Sequence, residues 1–209
     1  MILVLALLLC APMFAADAQQ PRIIYSKSFP GSTPPFVSVI IEKNGHAQYM
    51  EAADDGNPVK FQLTPEDTAA IFALAGKLGH FNRPIESGLK VANMGMKTFR
   101  FENGKDQNEV KFNYSQDLDA QALTGWFERI TETQQHLAAL ERTARFDKLG
   151  VNGAILQLQA AWDRNRIVAP EQFLKLLDRV AKNESYLHMA RERAALLAQM
   201  FREGKPKTE

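Results

Sequence analysis

The chain has 209 residues, with 25 Lys and Arg against 24 Asp and Glu, 45% hydrophobic residues, 12 Gly, 10 Pro and a single Cys. That composition excludes disordered, collagenous and disulfide-framework proteins. A net charge near zero with interspersed signs argues against nucleic acid as a partner and against a tail that grips by charge alone.

Met1 to Ala18 joins an apolar run, Ile2 to Leu9, to Pro12 and then to Ala16-Asp17-Ala18, a small-x-small sequence suited to signal peptidase. The expectation is a signal peptide over residues 1–18 and a periplasmic or secreted mature chain from Gln19. Its n-region lacks Lys and Arg, so the α-amino group alone supplies positive charge. The competing reading is an uncleaved anchor, but the run is broken by Pro12 and falls short of the ~20 residues a spanning helix needs. Cys10 follows Leu9 rather than a small residue, which fits lipidation poorly. Removal of residues 1–18 leaves no Cys, hence no disulfide, thiolate nucleophile or Cys metal ligand. The fold must then rest on a core, for which the remaining length suffices.

From Ile23 to Tyr114 the hydrophobic period is two. Val37, Val39 and Ile41, then Val59, Phe61 and Leu63, then Phe99 and Phe101, then Val110, Phe112 and Tyr114 alternate with mostly polar residues and predict half-buried antiparallel strands. Asn44-Gly45 between Phe36–Lys43 and His46–Met50 predicts a hairpin with a type I′ turn. Asn103-Gly104 predicts a second hairpin, whose loop is expected to extend through Lys105–Glu109. The strand alternation places Phe99 and Phe101 on the buried face and Thr98, Arg100 and Glu102 in water.

Between the hairpins, Thr64-Pro65-Glu66-Asp67 supplies an N-cap, a first-position Pro and first-turn acids, with Ile71, Leu74, Ala75 and Leu78 as the apolar face and Gly79 as the stop. Asp117 opens a long helix with the stripe Trp126, Ile130, Leu137, Leu140 and Ala144. From Leu149 the period is 3.6 throughout, in three stripes: Val151, Ile155, Leu158 and Trp162; Phe173, Leu177 and Val180; Leu187, Ala190, Ala194, Leu197 and Phe201. The expected fold class is therefore α+β: an antiparallel sheet with helices on one face, followed by a C-terminal antiparallel helical bundle. The expected organisation is an α+β domain over 19–148 with a long closing helix, a helical hairpin or bundle over 149–203 packed on it, and a frayed tail over 204–209.

Val39-Ile40-Ile41 with Asn44-Gly45 and Tyr49, Thr64-Pro65-Glu66 into a helix ending near Phe81, and Thr98-Phe99-Arg100-Phe101 with Asn103-Gly104 form a layout over about residues 22–130. It resembles small domains of unassigned function in bacterial exported proteins. The resemblance implies an exported α+β domain and no activity.

Chemistry-bearing motifs are sparse. His46, His80, His136 and His188 are scattered, with no HExxH and no i, i+4 pair. Asp54-Asp55-Gly56-Asn57 lacks the alternating ligands and closing Glu of a calcium loop and reads as a turn. No GxSxG, Walker A or dinucleotide fingerprint occurs. Glu128 with Glu132, and Asp117 with Asp119, read as solvated helix-surface or capping carboxylates. Glu171 with Lys175 and Asp178 with Lys182 predict i, i+4 ion pairs. Arg142, Arg145 and Lys148, Arg164 and Arg166, and Arg191 and Arg193 form a candidate basic face for an anionic surface, with Glu141, Asp147, Asp163 and Glu192 available to neutralise it. Residues 82–96 mix Pro84, Gly88 and Gly95 with Ile85, Leu89, Val91, Met94 and Met96. Such a connection is a binding loop, a weakly marked strand, or a loop tucked over the sheet.

The resulting expectation is an exported bacterial envelope protein that acts as a non-catalytic binding or interaction module for an unknown protein or small ligand. No catalytic, cofactor-binding or metal residue is assigned, and no cofactor is expected. Two alternatives remain. One is an enzyme whose site is assembled in three dimensions, with two or more of His46, His80, Arg83 and Glu86 in one cleft. The other is a peripheral protein using its helical half on a membrane surface.

Overall fold

The computed structural model describes residues 20–204, so the expected signal peptide and residues 205–209 of the tail lie outside the described residues. Six strands, β1 (Arg22–Ser28), β2 (Phe36–Glu42), β3 (His46–Met50), β4 (Val59–Gln62), β5 (Met96–Asn103) and β6 (Asp106–Phe112), form an antiparallel sheet in the order β4-β3-β2-β1-β5-β6. Helix α1 (Pro65–Lys77) carries the chain from edge strand β4 back to β5, beside β1, and α2 (Leu118–Phe146) follows β6. Helices α3 (Val151–Asp163), α4 (Leu174–Lys182) and α5 (His188–Glu203) complete this α+β architecture.

Strand alternation sorts the sheet into one covered and one open face. Ile23 lies opposite Ile41 and Phe101, and Tyr25 opposite Val39 and Phe99. All six are buried, and they pack against Ile71, Phe72 and Ala75 of α1 and Leu123, Phe127 and Ile130 of α2. Phe99 anchors the cluster, with ring centroids 4.9 Å from Phe112 and 5.2 Å from Phe81. Tyr114 lies beyond β6 and is half-buried, so the expected strand ends one alternation early.

Glu102 departs from the expectation that it faces water. It projects on the open face yet is only 7% exposed, because Arg22 from β1 and Arg100 two residues back both reach its carboxylate at 2.5 Å. Two long cationic side chains cover what a lone carboxylate would leave to solvent.

Both hairpins form with turns other than those expected. The Gly45 amide donates to the Glu42 carbonyl at 2.9 Å, so Lys43 and Asn44 are the central residues and only Gly45, at φ +86°, is left-handed. That is a three-residue loop closed by a left-handed glycine rather than a type I′ turn. A Cβ at Gly45 would also meet the Leu63 carbonyl and the Thr68 hydroxyl, each at 2.9 Å. In the second hairpin Asn103 pairs directly with Asp106, so the turn is two residues, Gly104-Lys105, and the polar run 106–109 is strand rather than loop. The ladder to β5 outweighs the low strand preference of Asp106–Glu109.

The caps behave as local chemistry dictates. The Thr64 hydroxyl accepts from the Asp67 amide at 3.0 Å, and the Asp117 carboxylate accepts from the Asp119 and Ala120 amides at 2.9 and 3.3 Å. From Gly79 on, three consecutive residues have positive φ, Gly79 +63°, His80 +50° and Phe81 +65°. Burial of the Phe81 ring against Phe99 offsets that backbone cost.

Helix α2 belongs to two cores, which explains why its expected stripe is incomplete. Its first half buries Ala120, Leu123, Phe127 and Ile130 against the sheet, while Trp126 is only half-buried. Farther along, Leu140 joins a second core built from Ile155, Leu158, Phe173, Leu177, Leu197 and Phe201. The α3–α4 connection returns to the first core, where Val168 and Ala169 are buried and the Val168 amide donates to Thr133 Oγ1 at 3.0 Å. In α5 the stripe begins at Ala190, because Leu187 is the residue before the first turn and is 44% exposed.

Candidate functional site

The histidines and the proposed cleft residues lie apart. His46 sits 3.7 Å from Glu42 at the first hairpin, and His188 sits 3.2 Å from Glu192 on an exposed helix face. His136 is 3.9 Å from Glu132, and burial holds its pKa below the usual histidine value. The His80 ring lies 4.4 Å from Phe101 in a depression shared with Asn103, Lys105 and their neighbours in the second hairpin. Arg83 pairs with Asp117 at 2.6 Å, and Glu86 is engaged elsewhere, so His46, His80, Arg83 and Glu86 do not converge in that depression. Among the described residues, no group of three or more His, Cys, Asp or Glu could hold a metal, and no helix is long and apolar enough to cross a membrane.

Residues 82–96 form no helix or strand beyond the first residue of β5; they are a loop tied to the end of β6. Glu86 accepts from the Asn113 amide at 2.6 Å, and this bond is the main cause that lowers its pKa. The Asn113 side chain accepts from the Met94 amide at 2.8 Å and donates to the Ala92 carbonyl at 3.0 Å. Buried Ile85 pins the start of the loop, while Leu89, Val91 and Met94 stay 39–51% exposed.

A second concavity lies in the other half. A groove of about 650 Å³ runs between the C-terminal part of α2 and α4, with Tyr186 at one end. Its apolar floor includes Leu137, Ala144 and Leu176, and the Tyr186 hydroxyl closes it by donating to the Ala144 carbonyl at 2.9 Å. Its walls carry Arg142 and Arg145 from α2 and Lys175 and Arg179 from α4, against one acid, Glu141. The side chains of Arg142, Lys175 and Arg179 make no ion pair or hydrogen bond among the described residues. Arg145 rests 5.7 Å over the ring of Phe146, which is 77% exposed.

Tertiary packing separates these charges from their sequence neighbours. The expected Asp178–Lys182 pair does not form, because Arg202 of α5 takes both Asp178 oxygens at 2.6 and 2.7 Å. The expected Glu171–Lys175 pair is also absent, and Lys175 turns to the groove. The candidate basic face divides accordingly. Arg166 is held by Glu132 at 2.7 Å, Arg193 by Asn152 and Gln159, and Arg191 by the Ala181 carbonyl. Lys148 lies 5.9 Å from the centroid of the Tyr186 ring, and Arg142 and Arg145 join Lys175 and Arg179, which stand 30 or more residues away in sequence.

No protein-family model matches the chain, and none of the curated proteins is significantly similar to it. Function therefore rests on the site itself.

Proposed function

We propose that this protein is a non-catalytic binding module of the bacterial envelope whose helical half takes an acidic, partly apolar segment of a partner protein. The observation that carries this reading is the groove between α2 and α4, where cations without partners face one another over an apolar floor. Like charges that line one groove repel, and carboxylates laid between them turn that cost into attraction. Leu137 and Leu176 with exposed Phe146 offer contacts to apolar side chains of the same segment. The envelope location is carried by Met1–Ala18.

Anisotropy of a labelled peptide of mixed Glu and Leu, titrated with the full chain, tests the reading. The expected result is saturable binding that weakens with salt, as the Debye length contracts from about 10 Å at 0.1 M to about 3 Å at 1 M. The double variant Arg142→Glu/Arg179→Glu should lower affinity by at least about tenfold. Affinity unchanged by that reversal overturns the proposal.

A second reading follows from Phe146 and Leu149, which are 77% and 73% exposed beside the basic groove. Aromatic and aliphatic groups next to cations also suit an anionic bilayer surface. Co-sedimentation with phosphatidylglycerol vesicles that survives the double charge reversal but is lost in Phe146→Ser/Leu149→Ser would favour it over the peptide groove.

A further inference from the structure

At the end of the sheet farthest from the β5–β6 turn, Lys27 of β1 lies directly opposite Lys97 of β5 on the covered face. Like charges directly opposite one another destabilise a sheet. Lys97 is only 5% exposed, and no carboxylate lies within ion-pair distance of it or of Lys27 among the described residues. Its ammonium donates to the Asn113 carbonyl at 2.8 Å and the Gly95 carbonyl at 3.3 Å and lies 5.8 Å from the centroid of the Phe112 ring, which leaves the third of its three donors without a hydrogen-bond acceptor. A buried charge held by neutral groups alone is costly.

A pocket of about 240 Å³ opens in front of this ammonium. Phe112 and Met94 supply apolar walls, Gln121 and Thr124 of α2 supply polar ones, and Glu128 of α2 stands exposed at its edge without an ion pair. The tied loop shapes the site. Gly95, at φ +90°, passes so close to β1 that a Cβ there would lie 2.8 Å from Lys27 Cε, and that approach presents its carbonyl to Lys97. Burial, and then the charge of Lys27, lower the Lys97 pKa, while Glu128 and Glu86 pull weakly the other way. These four are the charged groups that bear on the pocket.

We propose that this pocket binds a small zwitterion of the amino-acid class, its carboxylate on the third donor of Lys97, its ammonium toward Glu128 and its apolar side chain against Phe112 and Met94. The carboxylate neutralises the Lys27–Lys97 repulsion, and the ammonium answers the lone glutamate. The volume lies below the ~300–1,000 Å³ of drug-sized sites, which suits a ligand of this size and excludes a nucleotide. This site is separate from the α2–α4 groove, so either proposal can fail without the other.

The test is titration of the isotopically labelled full chain with L-leucine, followed by amide NMR shifts. Saturable shifts confined to residues 94–97, 112–115 and 121–128 are expected, with a Kd below about 1 mM. Lys97→Met, which keeps the apolar stem, and Glu128→Gln, a change at an exposed position that leaves the fold intact, should each weaken binding by about tenfold or more. 4-Methylpentanoate and isoamylamine, which lack the amine and the carboxylate, should bind at least about tenfold more weakly than leucine. Absence of shifts in these segments at about 10 mM leucine, unchanged affinity in either variant, or equal affinity for 4-methylpentanoate overturns the proposal.

Discussion

In the sheet half, the arginines and two of the lysines are matched within the fold. Arg22 and Arg100 share Glu102, Arg83 holds Asp117, Lys77 reaches Asp119 and Lys111 reaches Glu109. In the helical half, Arg142, Lys175 and Arg179 line a groove without ion-pair partners, although Glu171 and Asp178 stand within four residues of Lys175 in sequence. The whole chain carries nearly equal numbers of acids and bases. Near-neutral composition therefore coexists with local charge separation, and the proposed binding surface rests on that separation. Lys27 and Lys97 extend the same lesson into the sheet half, at the one place where its covered face ends in like charges.

The largest expected effects test whether the two halves are one cooperative body. Phe99 in the first core and Phe173 in the second are both 0% exposed, so truncation of either to Ala should cost about 3–5 kcal/mol. Because α2 and Val168–Ala169 link the cores, both losses should lower a single urea transition. Trp126 packs on the first core and Trp162 in the second, so single-tryptophan variants, each with the other Trp changed to Phe, report on each half separately. Coincident midpoints are expected, both shifted by Phe99→Ala. Two separated transitions would break the comparison by making the halves independent.

What was legible in the sequence was what neighbouring residues decide. The alternation around Phe99 and Phe101 named the buried face of β5, and the Thr64 and Asp117 side chains marked their helix starts, because a strand face and a cap are set within a few residues. Turn geometry was less legible, since Asn-Gly suits several loops and the partner strand chooses among them. The missed Leu123 and Phe127 in α2 reflect a helix that serves two cores and so changes its buried face along its length. The groove was hidden for a different reason: Arg202 captures Asp178 across 24 residues, which no i, i+4 rule foresees. Lys97 did carry a local signal, for it shares the alternation of Phe99 and Phe101 and is thus on the buried face, but only the pairing to Lys27 reveals the charge conflict.

A middle-sized effect probes the matched charges of the open face. The Glu102 side chain is 9% exposed and accepts from two arginines whose side chains are 33% and 38% exposed. Glu102→Gln keeps the shape but leaves those arginines without a counter-charge, with an expected cost of about 1–3 kcal/mol in urea melts. Arg100→Ala should cost about 1 kcal/mol or less, because Arg22 still satisfies Glu102 and the pair is partly screened by solvent. Arg100 also donates to Gln107 at 3.0 Å. An Arg100→Ala loss larger than that of Glu102→Gln would place the weight of the cluster on Arg100 and Gln107 instead of the shared carboxylate.

The smallest expected effect is the sharpest contrast with that cluster. Arg179 faces the groove with no partner among the described residues, so Arg179→Ala removes no ion pair and should change stability by no more than about 0.5 kcal/mol. Its sign should be stabilising at low salt, because the substitution takes one of four cations out of mutual repulsion across the α2–α4 groove. Raising the salt should shrink that gain, since screening already relieves the repulsion in the parent protein. Glu102→Gln should keep most of its cost under the same conditions, because its carboxylate is nearly covered and salt screens it less. Paired melts of the two variants at about 0.05 and 0.5 M salt make the comparison. A destabilisation above about 1 kcal/mol in Arg179→Ala would mean that the groove cations are tied into the fold as tightly as those of the sheet, and that the charge separation on which the binding reading stands is not real.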